Sequence, residues 1–262
     1  MKIALLDVHN DKYQKIWDIA GPVKEAYCKK HGYDNIHYQS PPYLLPIGRQ
    51  DNWGRVHGIL WHLRDYDWIF YLDTDILIMN HDVKIEDYID DKYNLIAGPL
   101  PHEGHIMTSG MLIKNDKWAV DFFLDLYAET KYITDEYHSP PDKKFATGNP
   151  SKGGLYFEQS SFHYLYDHYD KYYEKIKLVP RCWFNSETRS YKEGDFLIHF
   201  PGQLQKVKLM KMMLEQGHEA VLQAARAVDI DDHMRICREG YEKNVRLLSK
   251  FVKRKKDETT DN

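Results

Sequence analysis

Two spacings of apolar residues alternate along the chain, and together they predict an order of strands and helices. Residues 3–8 form a continuous apolar run that ends in polar positions, which is typical of a buried strand. Residues 12–31 carry apolar residues at helical spacing and end near Gly32. The same patterns predict further strands at 35–39, 68–72, 95–98, 111–114, 177–179 and 195–200, and further helices at 52–63, 118–130, 157–166, 207–227 and 231–252. This alternation predicts an α/β fold in which helices flank a mainly parallel central sheet, with residues 68–72 in its middle.

Polar segments indicate how the chain is divided. A proline-rich loop is predicted at 40–46, and a loop rich in Pro and Gly at 135–154. We predict a core domain over residues 1–206, followed over 207–262 by a helical extension and a charged tail. The extension could pack on the core, contact a second copy or bind a substrate, and the sequence leaves these three roles open.

Composition excludes several classes of protein. The 262 residues are 42% hydrophobic and 29% charged, which excludes a disordered chain. A net charge of −4 argues against a nucleic-acid binder, whose binding face is basic. The three cysteines are far apart, with neither zinc-site spacing nor a disulfide framework, so a reducing compartment is expected. No apolar run approaches the roughly 20 residues that span a bilayer, and we therefore expect a cytoplasmic protein without a transmembrane segment.

Tyrosine is the unusual component. Twenty Tyr and six Trp residues supply many side chains with an apolar face and a polar tip. Such side chains suit interfaces and sugar-binding clefts, although compositional bias explains the number equally well. Tyr13, Tyr156 and Trp183 are the aromatic residues that we expect in a sugar cleft, because they lie near candidate site residues in the sequence.

Two carboxylates interrupt the most apolar part of the chain. Asp73 and Asp75 lie within the run from Trp68 to Met79, where unpaired charges would cost many kcal/mol. Residues two apart in a strand point the same way, so the two carboxylates converge if the strand ends there. Hard oxygen ligands of this kind suit Mg²⁺ or Mn²⁺. The alternative is a pair of surface carboxylates in a turn.

A histidine ends a second apolar run. His199 follows residues 196–198 and precedes a Pro-Gly turn at Gly202. Its imidazole could supply a nitrogen ligand to the same ion, or it could be an ordinary core histidine. Gly202, with Lys206 beyond it, suits a loop that wraps a diphosphate.

Taken in order, these motifs resemble glycosyltransferases with the A-type fold, and among them glycosyltransferase family 34, which includes galactosyl, mannosyl and xylosyl transferases. The resemblance covers roughly residues 1–206. It rests on Trp53-Gly54-Arg55, Asp73-Thr74-Asp75, the stretch from Thr108 to Asn115, Glu158-Gln159-Ser160, the stretch from Trp183 to Ser186, and Gly194 to Gly202. Each motif alone is weak, but the ordered set is specific.

The resemblance implies a role for each matching residue. Asp73, Asp75 and His199 would bind Mn²⁺, with Mg²⁺ as the alternative, and the ion would bridge the diphosphate of a nucleotide sugar. Glu158 and Gln159 would lie beneath the anomeric carbon and stabilise a cationic sugar in a reaction that retains configuration. The donor, which we expect to be a UDP-sugar, would be bound by Asp7, Val8, His9, Arg55, Asp73, Thr74, Ser109, Gly110, Gly202 and Lys206. The acceptor would be a glycan or another hydroxyl compound, and the protein a monomer or a homodimer.

The chain departs from the family pattern in three ways. Family members often carry a Lys two positions after the Gly that matches Gly202, where this chain has Leu204, so Lys206 or Lys208 would have to replace it. Arg55 stands where the family has Lys, and the two bind phosphate differently. The chain as given is also compact, without the long stem or membrane anchor of Golgi members, and we therefore expect a bacterial, phage or viral enzyme.

Three other classes share parts of this pattern. A phosphatase of the haloacid dehalogenase type needs Thr or Val four residues after its first Asp, where this chain has Leu77. A sugar-nucleotide pyrophosphorylase needs a glycine-rich signature near its start, which this chain lacks. A non-catalytic carbohydrate-binding protein would account for the aromatic residues but not for two buried carboxylates near a histidine. Hydrolysis of the donor in the presence of Mn²⁺ separates an enzyme from such a module.

Overall fold

The computed structural model describes residues 1–39, 51–99, 106–129, 158–202 and 205–226. The strands are β1 Ile3–His9, β2 Asp34–Gln39, β3 Trp68–Leu72, β4 Ile76–Ile78, β5 Leu95–Pro99, β6 Ile106–Lys114, β7 Ile176–Leu178 and β8 Leu197–His199. The helices are α1 Gln14–His31, α2 Gly54–His62, α3 Lys117–Ala128, α4 Glu158–His168, α5 Asp170–Tyr173, α6 Arg181–Phe184 and α7 Lys206–Gln216. Short 3₁₀ turns precede α1 and lie on both sides of α2. The predicted loops at 40–46 and 135–154 and the predicted helix at 231–252 fall outside the described residues.

Six strands form the central sheet in the order β2-β1-β3-β6-β5-β7. All neighbouring pairs are parallel except β3–β6 and β5–β6, so β6 alone runs against the others. The predicted α/β fold with a mainly parallel sheet is therefore confirmed. The expectation that residues 68–72 lie between parallel neighbours is wrong on one side, because β3 pairs with antiparallel β6. Helices cover both faces of this strand, so its uniform apolarity cannot distinguish the two arrangements.

The alternation of side chains along β3 divides the core into two layers. Ile69 and Tyr71 pack with apolar residues of α2, α3 and α4 on one face of the sheet. Trp68, Phe70 and Leu72 pack on the other face with residues of α1 and of the β4–β8 pair. The result is a three-layer arrangement with helices on both faces of the sheet.

The first helix shows how local sequence sets an element's limits. The helix begins after a 3₁₀ turn at Asp11–Tyr13, whose preceding Asn10 accepts a hydrogen bond from the Lys12 amide. It ends at Gly32, which adopts φ 73° and donates its amide to the Cys28 carbonyl. A left-handed residue at this position favours glycine. The helix therefore returns the chain to the sheet as β2, next to β1.

A second, two-stranded sheet lies at the end of β3. Strand β4 pairs antiparallel with β8, and Ile76 lies opposite His199. The apolar run from Trp68 to Met79 is thus two strands with a turn between them, and Asp73, Thr74 and Asp75 occupy that turn. The amide of Phe200 donates to the carbonyl of Asp75 at 3.0 Å, which fixes the two chain segments side by side.

The helix predicted at 207–227 is interrupted. α7 ends at Gln216, Gly217 adopts φ 84°, and helical residues resume at 218–226. The chain divides into two compact units, Met1–Met210 and Lys211–Asn262. In the part of the chain that the structure describes, no helix combines the length and the hydropathy needed to cross a bilayer.

Candidate active site

A cavity of about 760 Å³ opens where β1 and β3 end and β6 begins. Twelve residues that the sequence predicted for the site line it: Val8, His9, Arg55, Asp73, Thr74, Asp75, Ser109, Glu158, Gln159, His199, Gly202 and Lys206. They come from six separate stretches of the chain, which the fold brings to one edge of the sheet. Asp7 and Gly110, also predicted, are not among the lining residues.

Asp75 lies between two nitrogen groups. Its Oδ1 is 3.2 Å from the Nε2 atom of His199, and its Oδ2 is paired with the Lys206 ammonium. Burial alone would raise the pKa of Asp75, but His199 and Lys206 hold it well below its ordinary value. Asp75 therefore stays ionised, and its charge is available to a cation on the cavity side.

The ring of His199 is oriented by a second residue. Its Nδ1 lies 2.5 Å from the side-chain oxygen of Asn185, which also accepts a hydrogen bond from Ser109. Since an amide oxygen only accepts, Nδ1 donates to Asn185, and Nε2 is the ring nitrogen on the Asp75 side. This is the hydrogen-bonding arrangement usual for a metal-binding histidine.

The chemistry of these donors fits a divalent cation. One ligand atom from each of Asp73, Asp75 and His199 lies within 4.8 Å of the others. Two carboxylate oxygens and one imidazole nitrogen suit Mn²⁺ and also Mg²⁺, and leave coordination positions for other oxygens. The sequence prediction brought these three residues together correctly; that they bind an ion remains a proposal.

Arg55 connects the predicted metal ligands to the predicted catalytic pair. Its guanidinium lies 3.1 Å from Asp73 Oδ1 and 3.0 Å from Glu158 Oε1. Burial alone would lower the pKa of Arg55, but the two carboxylates raise it above its ordinary value. The arginine is thus a fixed positive charge between two acids, and Tyr71 donates a further hydrogen bond to Asp73 at 2.6 Å.

Glu158 and Gln159 open helix α4 and point at Thr108 of β6. Glu158 is only 2% exposed and its carboxylate interacts with Arg55, Thr108 and Asn52. The Oε1 atom of Gln159 accepts hydrogen bonds from the amide and the hydroxyl of Thr108, at 3.2 and 3.0 Å. Burial raises the pKa of Glu158, and Arg55 opposes this effect. Both side chains are therefore held in place at the cavity wall.

Asp7 lies behind the cavity wall. It is fully buried and accepts hydrogen bonds from Lys24, Thr74 and His9. Burial alone would raise its pKa, but the Lys24 ammonium and the hydrogen bonds lower it. Asp7 was predicted to hold the nucleoside; in the structure its carboxylate accepts hydrogen bonds from within the protein and does not line the cavity. Val8 and His9, from the same strand end, do reach the cavity.

Gly110 was predicted to approach the donor sugar, but it faces another part of the protein. A Cβ atom at this position would lie 2.7 Å from the carbonyl oxygen of Phe184 in α6. The glycine thus allows β6 and α6 to pack closely. Its neighbour Ser109 does line the cavity.

Replacing Gly110 by Ala is expected to lower the free energy of unfolding by about 1–3 kcal/mol, because backbone must move to admit the methyl group. Urea denaturation at equilibrium measures this loss. Gly98→Ala is the matched control, since a Cβ in that neighbouring strand would meet nothing closer than 3.7 Å. Equal losses in the two variants would show that close packing at Gly110 is unimportant.

The structure distinguishes between the two lysines proposed to replace the family's lysine. Lys206 lines the cavity and pairs with Asp75, whereas Lys208 is exposed and does not line it. Of the aromatic residues expected in the cleft, Tyr13 lines it. Trp183 does not, and its ring packs against Tyr88. Tyr156 lies outside the described residues.

The sequence analysis gave no role to several side chains that contact the candidate site residues. Asn52 and Thr108 contact Glu158, Asn185 orients His199, and Lys24 pairs with Asp7. Thr108 and Asn185 lie within motifs already quoted for the resemblance, and Lys24 carried a signal of its own. It occupies the stripe Ile16, Ala20, Lys24 and Cys28, spaced by four residues, where a helix buries its side chains.

Solved structures with the same architecture identify the fold. A glycosyltransferase involved in the glycosylation of the major capsid of PBCV-1 superimposes with a TM-score of 0.60 at 17% identity, over 81% of this chain and 100% of the other. The bifunctional glycosyltransferase WbbM superimposes with a TM-score of 0.54 at 9% identity, over 85% of this chain and 51% of the other. The chain has the glycosyltransferase A fold. The predicted resemblance to A-fold glycosyltransferases is thereby confirmed at the level of the fold.

Sequence comparisons add one relative and one family match for this A-fold protein. An alpha-1,2-galactosyltransferase of Schizosaccharomyces pombe (strain 972 / ATCC 24843) is 22% identical over 209 residues, covering 68% of this chain. The chain spans about half of that relative, 54% of its length. Residues 24–143 match a family described as a protein of unknown function, DUF273. That segment contains Arg55, Asp73 and Asp75 but neither Glu158 nor His199.

Proposed function

We propose that this A-fold protein is a metal-dependent glycosyltransferase that moves a sugar from a nucleotide-sugar donor to a hydroxyl acceptor. One observation carries the proposal: Asp73, Asp75 and His199 converge on a cavity that also contains Lys206 and Arg55. Two cationic side chains beside a set of cation ligands suit a diphosphate. The galactosyltransferase relative and the A-fold neighbours support the same reaction class.

The ligands fit Mn²⁺, with Mg²⁺ as the alternative, and the ion would act as a Lewis acid toward the departing diphosphate. Asp73 and Asp75 supply the anionic oxygens, and His199 supplies Nε2. Lys206 lies beside Asp75, where its ammonium can also bind a phosphate oxygen. Charge that develops on the leaving group is thus met by groups that the fold holds in position.

The donor sugar is assigned to the wall formed by Ser109, Glu158 and Gln159. Because Arg55, Thr108 and Asn52 all contact the Glu158 carboxylate, its lone pairs are largely occupied. This favours a role as a fixed negative charge near a cationic sugar over a role as a nucleophile. We therefore propose retention through attack on the same face of the sugar. The resemblance to glycosyltransferase family 34 favours UDP as the carrier.

Binding of the donor tests this function directly. With Mn²⁺ present, UDP-sugars and GDP-sugars are screened for a rise in the thermal midpoint of the full chain. A donor at 100 times its Kd is expected to stabilise the fold by about 2.7 kcal/mol, and the effect should require the metal. The donor that binds should then be hydrolysed slowly and transferred when an acceptor is added.

The same experiment addresses the other classes. A carbohydrate-binding module would bind free sugars without hydrolysing a nucleotide sugar, and that outcome would contradict an enzymatic role. A phosphatase of the haloacid dehalogenase type is disfavoured by Leu77, which lies in β4 and is fully buried. The cytoplasmic location, the acceptor and the oligomeric state remain predictions.

A further inference from the structure

A lysine with a completely buried side chain lies directly behind the candidate metal site. Lys24 belongs to α1, and its side chain has 0% exposure. An unpaired ammonium in such a place would cost many kcal/mol, so its partners decide its role. Neither Lys24 nor Asp7 is among the residues that line the cavity.

The contacts of Lys24 join three parts of the fold. Its Nζ atom donates to Asp7 Oδ2 at the end of β1, at 2.5 Å, and to the main-chain carbonyl of Asp73, at 2.8 Å. The other oxygen of Asp7 accepts from the Thr74 hydroxyl at 2.8 Å and lies 3.1 Å from Nδ1 of His9. The turn Asp73-Thr74-Asp75 is therefore held from behind at two consecutive residues.

The contacts of Lys24 and Asp7 affect the directions in which the carboxylates of Asp73 and Asp75 point. Rotation of the Asp73 or Thr74 backbone would change where the Asp73 and Asp75 side chains point. Two well-packed apolar side chains in the same space would leave the folded state equally stable or more stable. Stability alone therefore does not explain why Lys24 and Asp7 form a buried ion pair here. Metal sites commonly depend on such outer partners, whose loss reduces metal affinity about 10–100-fold.

We propose that Lys24 and Asp7 are positioning residues, which hold the Asp73–Asp75 turn so that its carboxylates converge with His199 on a divalent cation. This inference rests on the proposed metal-dependent function. It assigns Asp7 a role through Thr74 and His9 rather than a contact with the nucleoside. Lys24 acts through Asp73 and Asp7 and does not touch the donor.

The test measures equilibrium binding of Mn²⁺ alone to the full chain, together with the free energy of unfolding. Lys24→Met is expected to weaken Mn²⁺ binding about 10–100-fold. The double variant Lys24→Met/Asp7→Asn removes both charges, so it should recover much of the lost stability while Mn²⁺ binding stays weak. Thr74→Val removes one hydrogen bond to Asp7 without leaving a charge unpaired. It should fold and bind Mn²⁺ several-fold more weakly.

Tyr27→Phe is the matched control for a general loss of stability. It removes a hydrogen bond from the next turn of α1 to the Val83 carbonyl, away from the Asp73–Asp75 turn. This variant should be less stable and bind Mn²⁺ like the wild type.

Three results would overturn the proposal. The first is that Lys24→Met and Thr74→Val both bind Mn²⁺ with wild-type affinity. Recovery of both stability and Mn²⁺ affinity in the double variant would show that the pair is merely structural. If the wild type itself does not bind Mn²⁺, the proposed metal-dependent function fails first and this inference fails with it.

Discussion

Replacing Asp75 by Asn is expected to lower kcat/KM for sugar transfer about 10³-fold, because the ion loses an anionic ligand and its Lewis-acid contribution. That contribution is several kcal/mol, and about 4 kcal/mol corresponds to a factor near 10³. Asp75 also pairs with the Lys206 ammonium, which would be left without its anion. Initial rates at saturating Mn²⁺, with the donor varied, measure the effect.

Asp121→Asn provides the comparison for this prediction. Asp121 is a partly exposed carboxylate on α3 whose partner is Lys117, one turn away on the same helix. Its loss should leave kcat/KM unchanged and the free energy of unfolding within about 0.5 kcal/mol of the wild type. If Asp75→Asn kept wild-type rates and Mn²⁺ affinity, the metal-dependent function would be wrong.

Replacing Arg55 by Met is expected to lower the free energy of unfolding by about 3–5 kcal/mol. The variant leaves two carboxylates, Asp73 and Glu158, at the cavity wall without the cation that lies between them. Chemical denaturation at equilibrium measures the loss, and donor binding should fail at the same time. Arg64→Met is the control, because Arg64 lies just beyond the same helix and its side chain is exposed. If Arg55→Met lost less than about 1 kcal/mol of its free energy of unfolding, the prediction would be wrong.

The stability of Arg55→Met should also depend on pH. In the wild type, burial raises the pKa of Glu158 and Arg55 opposes the shift, so removing Arg55 raises that pKa further. Between the unfolded and folded pKa values, the native state then binds more protons than the unfolded state. The free energy of unfolding therefore falls as pH rises from the ordinary pKa of a glutamate through the raised pKa of the folded state. A wild-type curve that falls as steeply as the variant curve would contradict this account.

The sequence predicted the fold well wherever a pattern was local. Apolar runs and helical spacing placed β1, β3, α1 and α4 within a few residues of their observed limits. The sequence could not predict that β6 runs antiparallel to β3, since strand direction depends on the connection rather than on side-chain alternation. Nor could it separate β4 from β3, because the apolar residues continue on both sides of the turn.

In the site, prediction succeeded for residues whose type is unusual for their surroundings. Asp73, Asp75 and His199 interrupt apolar runs, and the structure brings them together. Prediction missed residues whose role depends on distant partners. Asn52 contacts Glu158 across 106 positions of sequence, and nothing near either residue indicates that contact. Asp7 and Gly110 are adjacent in sequence to Val8 and Ser109, which line the cavity. The sequence alone could not show that the neighbouring residue in each case lines it and that Asp7 and Gly110 do not.

The pairing of Lys206 with Asp75 has a consequence for how the protein folds. The two residues are 131 positions apart, so their contact closes a very long loop. Contacts of such long range form late and slow the folding of a domain. During synthesis on the ribosome, the Asp75 carboxylate therefore has no Lys206 ammonium to pair with until residue 206 has left the ribosome. Binding of a nucleotide sugar to this cavity would therefore report that synthesis and folding of the whole sheet are complete.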